Sequence, residues 1–254
     1  MIEATTRPVI AGNWKMHKGP AATRAFLEQF AALYEPRENR TLILFPPAIS
    51  LAAAVEARGG RHDLHLGVQN IHWEDQGAFT GETAAPQARE AGAEYALIGH
   101  SERRHLFGET DQEVARKVAS AIRNALVPVV CVGETLDERQ AGQVDAVILR
   151  QLNAAMEGVS AEYNGALLIA YEPVWAIGTG MTATPDDAAA AHTILRTALV
   201  QRFGDGAAGI PILYGGSVKP DNAADLLSAP GVDGLLVGGA SLDASGFARI
   251  AEAG

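Results

Sequence analysis

Eight short apolar runs recur along the chain, at 9–11, 41–45, 64–68, 95–98, 127–132, 166–170, 210–214 and 234–237. Each is nearly continuous in apolar residues and too short for an ordinary helix. Runs of that kind suit strands buried on both faces, as in a parallel sheet. Helical signals lie between them. Thr110 and Glu113 have capping-box spacing, and Val114, Val118, Ala121, Ile122 and Ala125 follow at helical spacing. Thr184-Pro185 reads as a cap followed by proline at the first helical position, opening a helix that runs to about Phe203 and stops at Gly204. Eight strand–helix units in 254 residues, with no obvious linker, predict one α/β domain over 1–254. The expected architecture is a (β/α)8 barrel, eight parallel strands inside a ring of helices. A doubly wound open sheet is the alternative.

In such a barrel the working groups collect at the C-terminal ends of the strands, so residues far apart in sequence can converge. Gly12-Asn13-Trp14-Lys15-Met16 follows the first run, and Gly99-His100-Ser101-Glu102 the fourth. Glu172 follows the sixth, Gly215-Gly216-Ser217 the seventh and Gly238-Gly239 the eighth. Glu172 carries the sharpest signal. A buried strand delivers one carboxylate to Pro173-Val174-Trp175 and a small-residue loop with two glycines. Proton abstraction from carbon needs an acid held still beside a loop free to close. A lone glutamate at a strand end is more often a solvated acid, and only this context favours the chemical reading.

Charge narrows the partners. The formal net charge of −10 disfavours nucleic acid, which needs a basic footprint. An anionic substrate would have to be met locally, by one or two placed cations and by backbone amides. Cys131 is the single cysteine, so no intrachain disulfide forms and a reducing compartment fits. The N-terminus lacks the pattern of a signal peptide, and no apolar run reaches the roughly 20 residues that span a bilayer. A cytoplasmic protein without membrane partners is expected.

The stretches 12–16, 69–70, 77–82, 98–104, 131–134, 171–180, 214–218 and 237–242 together resemble the triosephosphate isomerase family, in order and over nearly the whole chain. The resemblance implies interconversion of dihydroxyacetone phosphate and D-glyceraldehyde 3-phosphate through an enediolate, a step of glycolysis and gluconeogenesis. It makes Glu172 the general base, His100 a neutral electrophile and Lys15 an electrostatic clamp, with no metal and no cofactor. A neutral imidazole suits His100, because the helix that opens at Ser101-Glu102 sets its positive end against a second ring proton. Asn13 adds a polar contact. Gly178, Ser217, Gly238 and Gly239 grip the phosphate, where glycine lets backbone N–H groups come close.

By the same resemblance, 176–180 form a lid tip between hinges at 173–175 and 181–183. Met181 stands where many relatives have lysine, and His17 where asparagine is common. Glu102 lies near Lys15 and His100, and Cys131 is structural. The long loop at 69–82, with Thr80 near its tip, implies a homodimer in which this loop enters a second subunit. The rival of another class is a non-catalytic phosphate-binding barrel acting as an interaction protein. A sugar-phosphate epimerase is a weaker one. Both would share the phosphate loops without needing the lysine, histidine and glutamate together.

Overall fold

The computed structural model describes residues 5–163, 166–177, 181 and 183–253. Eight parallel strands close on themselves in chain order. They are β1 (Val9–Asn13), β2 (Thr41–Phe45), β3 (Leu64–Val68), β4 (Tyr95–Ile98), β5 (Val127–Val132), β6 (Leu168–Tyr171), β7 (Ile212–Tyr214) and β8 (Gly234–Val237). The seam is β8 against β1, with Gly234 opposite Val9 and Val237 opposite Gly12. The closed barrel therefore replaces the open-sheet alternative.

Around it lie α1 (Pro20–Leu33), α2 (Leu51–Arg58), α3 (Ala85–Glu90), α4 (Ser101–Phe107) and α5 (Asp111–Arg123). The second half of the ring is α6 (Leu136–Gln140), α7 (Val144–Ala155), α8 (Pro185–Phe203), α9 (Ala223–Ser228) and α10 (Ala244–Glu252). The cap signals act as expected. Thr110 and Glu113 form a reciprocal capping box on α5. Thr184 and Asp187 form another on α8, which ends at Gly204 in a positive-φ conformation.

The two-residue period of a strand explains why the runs are apolar throughout. Val9, Ala11, Ile43, Phe45, Leu97, Val129, Cys131, Ala170 and Leu213 fill the barrel's interior. Their neighbours Ile10, Leu42, Leu44, Ile98, Val130 and Ile169 pack outward with the helices. Three strand limits differ from the sequence reading. β1 extends to Asn13, because Gly12 and Asn13 continue the ladder opposite Leu44 and Phe45. β6 enters its ladder only at Leu168, since the Ala166 carbonyl accepts the Tyr163 hydroxyl at 3.1 Å instead. β7 starts at Ile212, past Pro211, which has no N–H to donate.

Candidate active site

Asn13, Lys15, His100 and Glu172 meet Gly215-Gly216-Ser217 and Gly238-Gly239 around a cleft of about 270 Å³ at the C-terminal ends of the strands. Glu172 leaves β6 with its N–H donated to the Val132 carbonyl at 2.8 Å. Glycine flanks it on both sides. A Cβ on Gly133 would stand 1.7 Å from the Glu172 carbonyl oxygen, and one on Gly215 2.9 Å from its Cγ. Only hydrogen fits at either place, so the stem of Glu172 is clasped. Glu172 as a whole is 2% exposed. Oε2 accepts the Ser101 N–H at 2.9 Å, and Oε1 lies 3.0 Å from His100 Nε2.

His100 is the N-cap of α4, and its Nδ1 accepts the Glu102 N–H at 3.2 Å. That bond needs a lone pair on Nδ1, so the neutral ring carries its one proton on Nε2, aimed at Glu172. Burial opposes charge on the imidazole, but the Glu172 carboxylate outweighs it and holds the His100 pKa above its ordinary value. Burial likewise pushes Glu172 up, and His100, the Ser101 N–H and Lys15 together carry it below the ordinary carboxylate value. Each shift depends on the partner staying in place. When the carboxylate moves off His100, burial and Lys15 are left to favour the neutral ring.

Lys15 holds a left-handed backbone conformation, φ 51°, which side chains other than glycine rarely adopt. Both of its peptide groups are pinned. Its N–H donates to Asn13 Oδ1 at 3.0 Å, and its carbonyl accepts from Gln69 Nε2 at 2.9 Å. The same amide nitrogen of Gln69 donates to the Phe45 carbonyl at 2.8 Å, which ties the turn to the end of β2. The Lys15 ammonium donates to Glu102 Oε1 at 2.6 Å. Glu102 thus touches Lys15 with its side chain and His100 with its backbone.

Opposite lies an end of the cleft built from main chain. After β8 a single 3-10 turn spans Gly239–Leu242. The N–H groups of Gly239 and Ala240, and that of Ser217 after β7, have no acceptor among the described residues. The turn is anchored from beneath, with the Trp14 indole donating to the Ser241 carbonyl at 3.0 Å and Ser241 Oγ to the Gly238 carbonyl at 2.7 Å. Lys15 and Lys219 are the cations on the walls. Placed charge beside open amides has the chemistry to hold an anion in an otherwise acidic protein.

The structure brings Asn13, Lys15, His100, Glu172, Ser217, Gly238 and Gly239 together. Gly178 lies outside the described residues, as do Thr179, Gly180 and Thr182 of the expected lid and hinge. Ile177, at the near end of that segment, lines the cleft. Before it, the Trp175 indole donates to Glu134 Oε1 at 2.8 Å, and the Tyr171 hydroxyl donates to the same oxygen at 3.1 Å. Cys131 is fully buried inside the barrel, where burial and the nearby Glu172 carboxylate push its thiol well above the ordinary value. It is therefore a thiol and no nucleophile.

Sequence reasoning assigned no role to Gln69, Trp14, Gly133, Gly215 or the Ser101 N–H. Gln69 stands directly after β3, so the rule that singled out Lys15 and His100 also reaches it. The two glycines also stand directly after strands, β5 and β7, but their close approach to Glu172 depends on strand register, which position alone does not reveal. Among the described residues no helix is long and apolar enough to cross a membrane.

Known proteins are built alike. The family model described as triosephosphate isomerase matches residues 8–254. The triosephosphate isomerase of Solibacter usitatus is 47% identical over 245 residues, covering 96% of this chain and 98% of the relative. That of Moorella thermoacetica is 48% identical over 244 residues, covering 96% and 97%. The crystal structure of triosephosphate isomerase from Bartonella henselae superposes with a TM-score of 0.87 at 43% identity, covering 97% of this chain and 98% of that one. With the cleft's lysine, histidine and glutamate set beyond β1, β4 and β6 of a closed barrel, and with likeness of this extent, the chain belongs to the triosephosphate isomerase family.

Proposed function

We propose that the protein interconverts dihydroxyacetone phosphate and D-glyceraldehyde 3-phosphate, with 1–254 acting as one catalytic barrel. The observation that carries this reading is the 3.0 Å approach of His100 Nε2 to the Glu172 carboxylate, in a cleft that also holds Lys15 and open amides. The phosphate sits on the N–H groups of Ser217 and Gly239, with Gly238 giving room. Lys15 supplies fixed positive charge to the phosphate and the reacting oxygens, and Asn13 adds a polar contact.

The chemistry is a proton relay without net redox change. The Glu172 carboxylate takes the proton from the carbon that bears the hydroxyl. The C–H electrons become the carbon–carbon double bond of an enediolate, and the carbonyl electrons move onto oxygen. The Nε2–H of His100 hydrogen-bonds that oxygen. His100 gives its Nε2 proton to that oxygen and takes the other hydroxyl's proton in exchange, so the new carbonyl forms as the double-bond electrons accept the proton that Glu172 returns to the neighbouring carbon. Before this, Glu172 must leave His100 and the Ser101 N–H, the contacts that hold its pKa down. Moving toward substrate therefore makes it a stronger base.

A coupled assay run from each triose phosphate, with solvent deuterium to follow exchange of the substrate C–H, tests the reading. Turnover in both directions with deuterium incorporation supports it. Binding without turnover would favour the non-catalytic barrel. A cytoplasmic location fits the single cysteine and this metabolic role.

The same proposal includes a homodimer through the loop at 69–82. A second cleft, about 340 Å³, lies beside the first between Met16, Gln69, Glu82, Glu102 and Phe107. Met16 is 94% exposed and Phe107 72%, a pair of large apolar side chains suited to a partner. The loop's own Phe79 packs on His72 with ring centres 4.1 Å apart, which gives it a fixed shape. Light scattering on the eluting peak of a gel-filtration column should give twice the chain mass. A fully active monomer would remove the dimer.

A further inference from the structure

The β4–β5 ladder stops at the pair Ile98 and Val130. The next residue on each strand, Gly99 and Cys131, carries a carbonyl beyond the last rung. Arg104 of α4 takes both. Its Nε donates to the Gly99 carbonyl at 2.8 Å and its Nη2 to that of Cys131 at 3.3 Å. The remaining arm, Nη1, donates to Asp111 Oδ1 at 2.7 Å, at the start of α5. The guanidinium side chain is 8% exposed and lines neither cleft described above. Gly99 is shaped for it. Its φ is 73°, and a Cβ there would stand 2.9 Å from Arg104 Nη2 and 3.3 Å from the Cys131 carbonyl.

What lies next to these carbonyls makes the arrangement informative. Gly99 immediately precedes His100. Cys131 is paired with Ala170 on β6 and precedes Val132, whose carbonyl accepts the Glu172 N–H. The planar fork thus extends the β4–β5 pairing by one step, at the point where one strand hands over to the imidazole and the other supports the carboxylate. We propose that Arg104 is a positioning residue which sets the His100–Glu172 separation by clamping the Gly99 and Cys131 carbonyls. This rests on the isomerase reading. Arg104 touches no substrate; it acts through the two backbones. Lysine cannot replace it, because one ammonium cannot span two carbonyls and a carboxylate in a plane.

The test compares the full-length protein with Arg104→Lys and Arg104→Met. Each preparation is normalised by titrating its sites with a phosphate-bearing enediolate mimic. Isomerisation by the parent alone tests the functional reading, and an inactive parent would overturn that reading and this inference together. With an active parent, kcat should fall in both variants, by up to the roughly 10²-fold that a misplacement of about an ångström costs. KM should stay within about twofold, because the phosphate grip belongs to other loops. The imidazole ¹⁵N resonances of His100 should shift in both variants, and Arg104→Lys should not restore kcat. Variants that lose only thermal stability, with parental kcat per titrated site and unmoved ¹⁵N shifts, would overturn the positioning role and leave the function standing.

Discussion

The two ends of the barrel use the same ionic materials differently. At the N-terminal face, Asp233 accepts Arg7 at 2.9 Å, Arg196 at 2.7 Å and the Ile212 N–H at 2.9 Å. Glu94 there takes Arg58 at 2.7 Å and His65 at 2.6 Å. These carboxylates reinforce pairings the backbone already makes, since the Asp233 N–H donates to the Ile212 carbonyl at 2.9 Å and the Glu94 N–H to that of Leu66 at 2.8 Å. At the C-terminal face Glu172, His100, Lys15 and Glu102 are also paired, but the proposed reaction has Glu172 and His100 give up their contact for atoms of substrate. Open amides on Ser217 and Gly239 wait beside them. A fixed pair supports the fold and an exchangeable pair supports chemistry, which is the division of labour expected between the two ends of such a barrel.

Substitutions at each end should therefore separate activity from stability. The largest effect is expected from Glu172→Gln, which should lower turnover by about 10²–10⁴-fold while leaving the fold and the Michaelis constant largely intact. Steady-state assays and a thermal melt check both halves, and near-parental turnover would remove Glu172 as the base. Lys15→Ala should cost about 10²–10³-fold in kcat/KM, spread over binding and chemistry because its charge acts on both. An unchanged Michaelis constant would count against the clamp.

At the other end the sign of the result reverses. Asp233→Ala strips Arg7 and Arg196 of a shared, largely buried partner, so unfolding should be easier by about 3–5 kcal/mol. Activity per folded molecule should hold. Denaturant titration beside the assay measures both, and a fall in kcat would blur the contrast.

Between these lies His192 of α8, fully buried, its Nδ1 2.9 Å from the Gly231 carbonyl that leads toward β8. Burial lowers its pKa from 6.5 to about 4. The unfolded chain then binds a proton that the folded one refuses. Stability is full above pH 6.5 and declines as the pH falls toward 4, by roughly 3 kcal/mol in all. Melts of His192→Phe against the parent should show a flatter acid slope. The smallest effect is expected from Arg24→Ala, whose partner Glu56 lies in an exposed pair, 51% and 71%, on the helical rim. Its cost should stay below about 1 kcal/mol, with no change in rate.

The fold was legible because parallel strands buried on both faces announce themselves as apolar runs. Five of the eight runs coincide with their strands, and the helix caps at Thr110 and Thr184 stand where the sequence puts them. The limit at Asn13 is set by ladder partners and that at Leu168 by the Tyr163 hydroxyl, neither of which a local pattern displays, whereas Pro211 ahead of Ile212 was a local signal the apolar run passed over. In the cleft, residues directly after strands could be found by position alone. What could not be found is support that acts across strands. Gln69 reaches the Lys15 carbonyl, Gly133 makes room for Glu172 and Arg104 bridges two strand ends. These contacts depend on three-dimensional register, so position after a strand points to Gln69 and Gly133 without revealing what they touch.

One consequence concerns how such a protein can change over time. The proposed anion seat is made of peptide N–H groups at Ser217, Gly239 and Ala240, and a point mutation to anything but proline leaves a peptide N–H in place. The reacting groups are side chains, and a single codon change can delete any of them. Under the proposed function, loss of Glu172 or His100 would end catalysis while these amides and Lys15 stayed in place, and a decayed descendant of this chain could survive as a silent receptor for the molecules its ancestor converted.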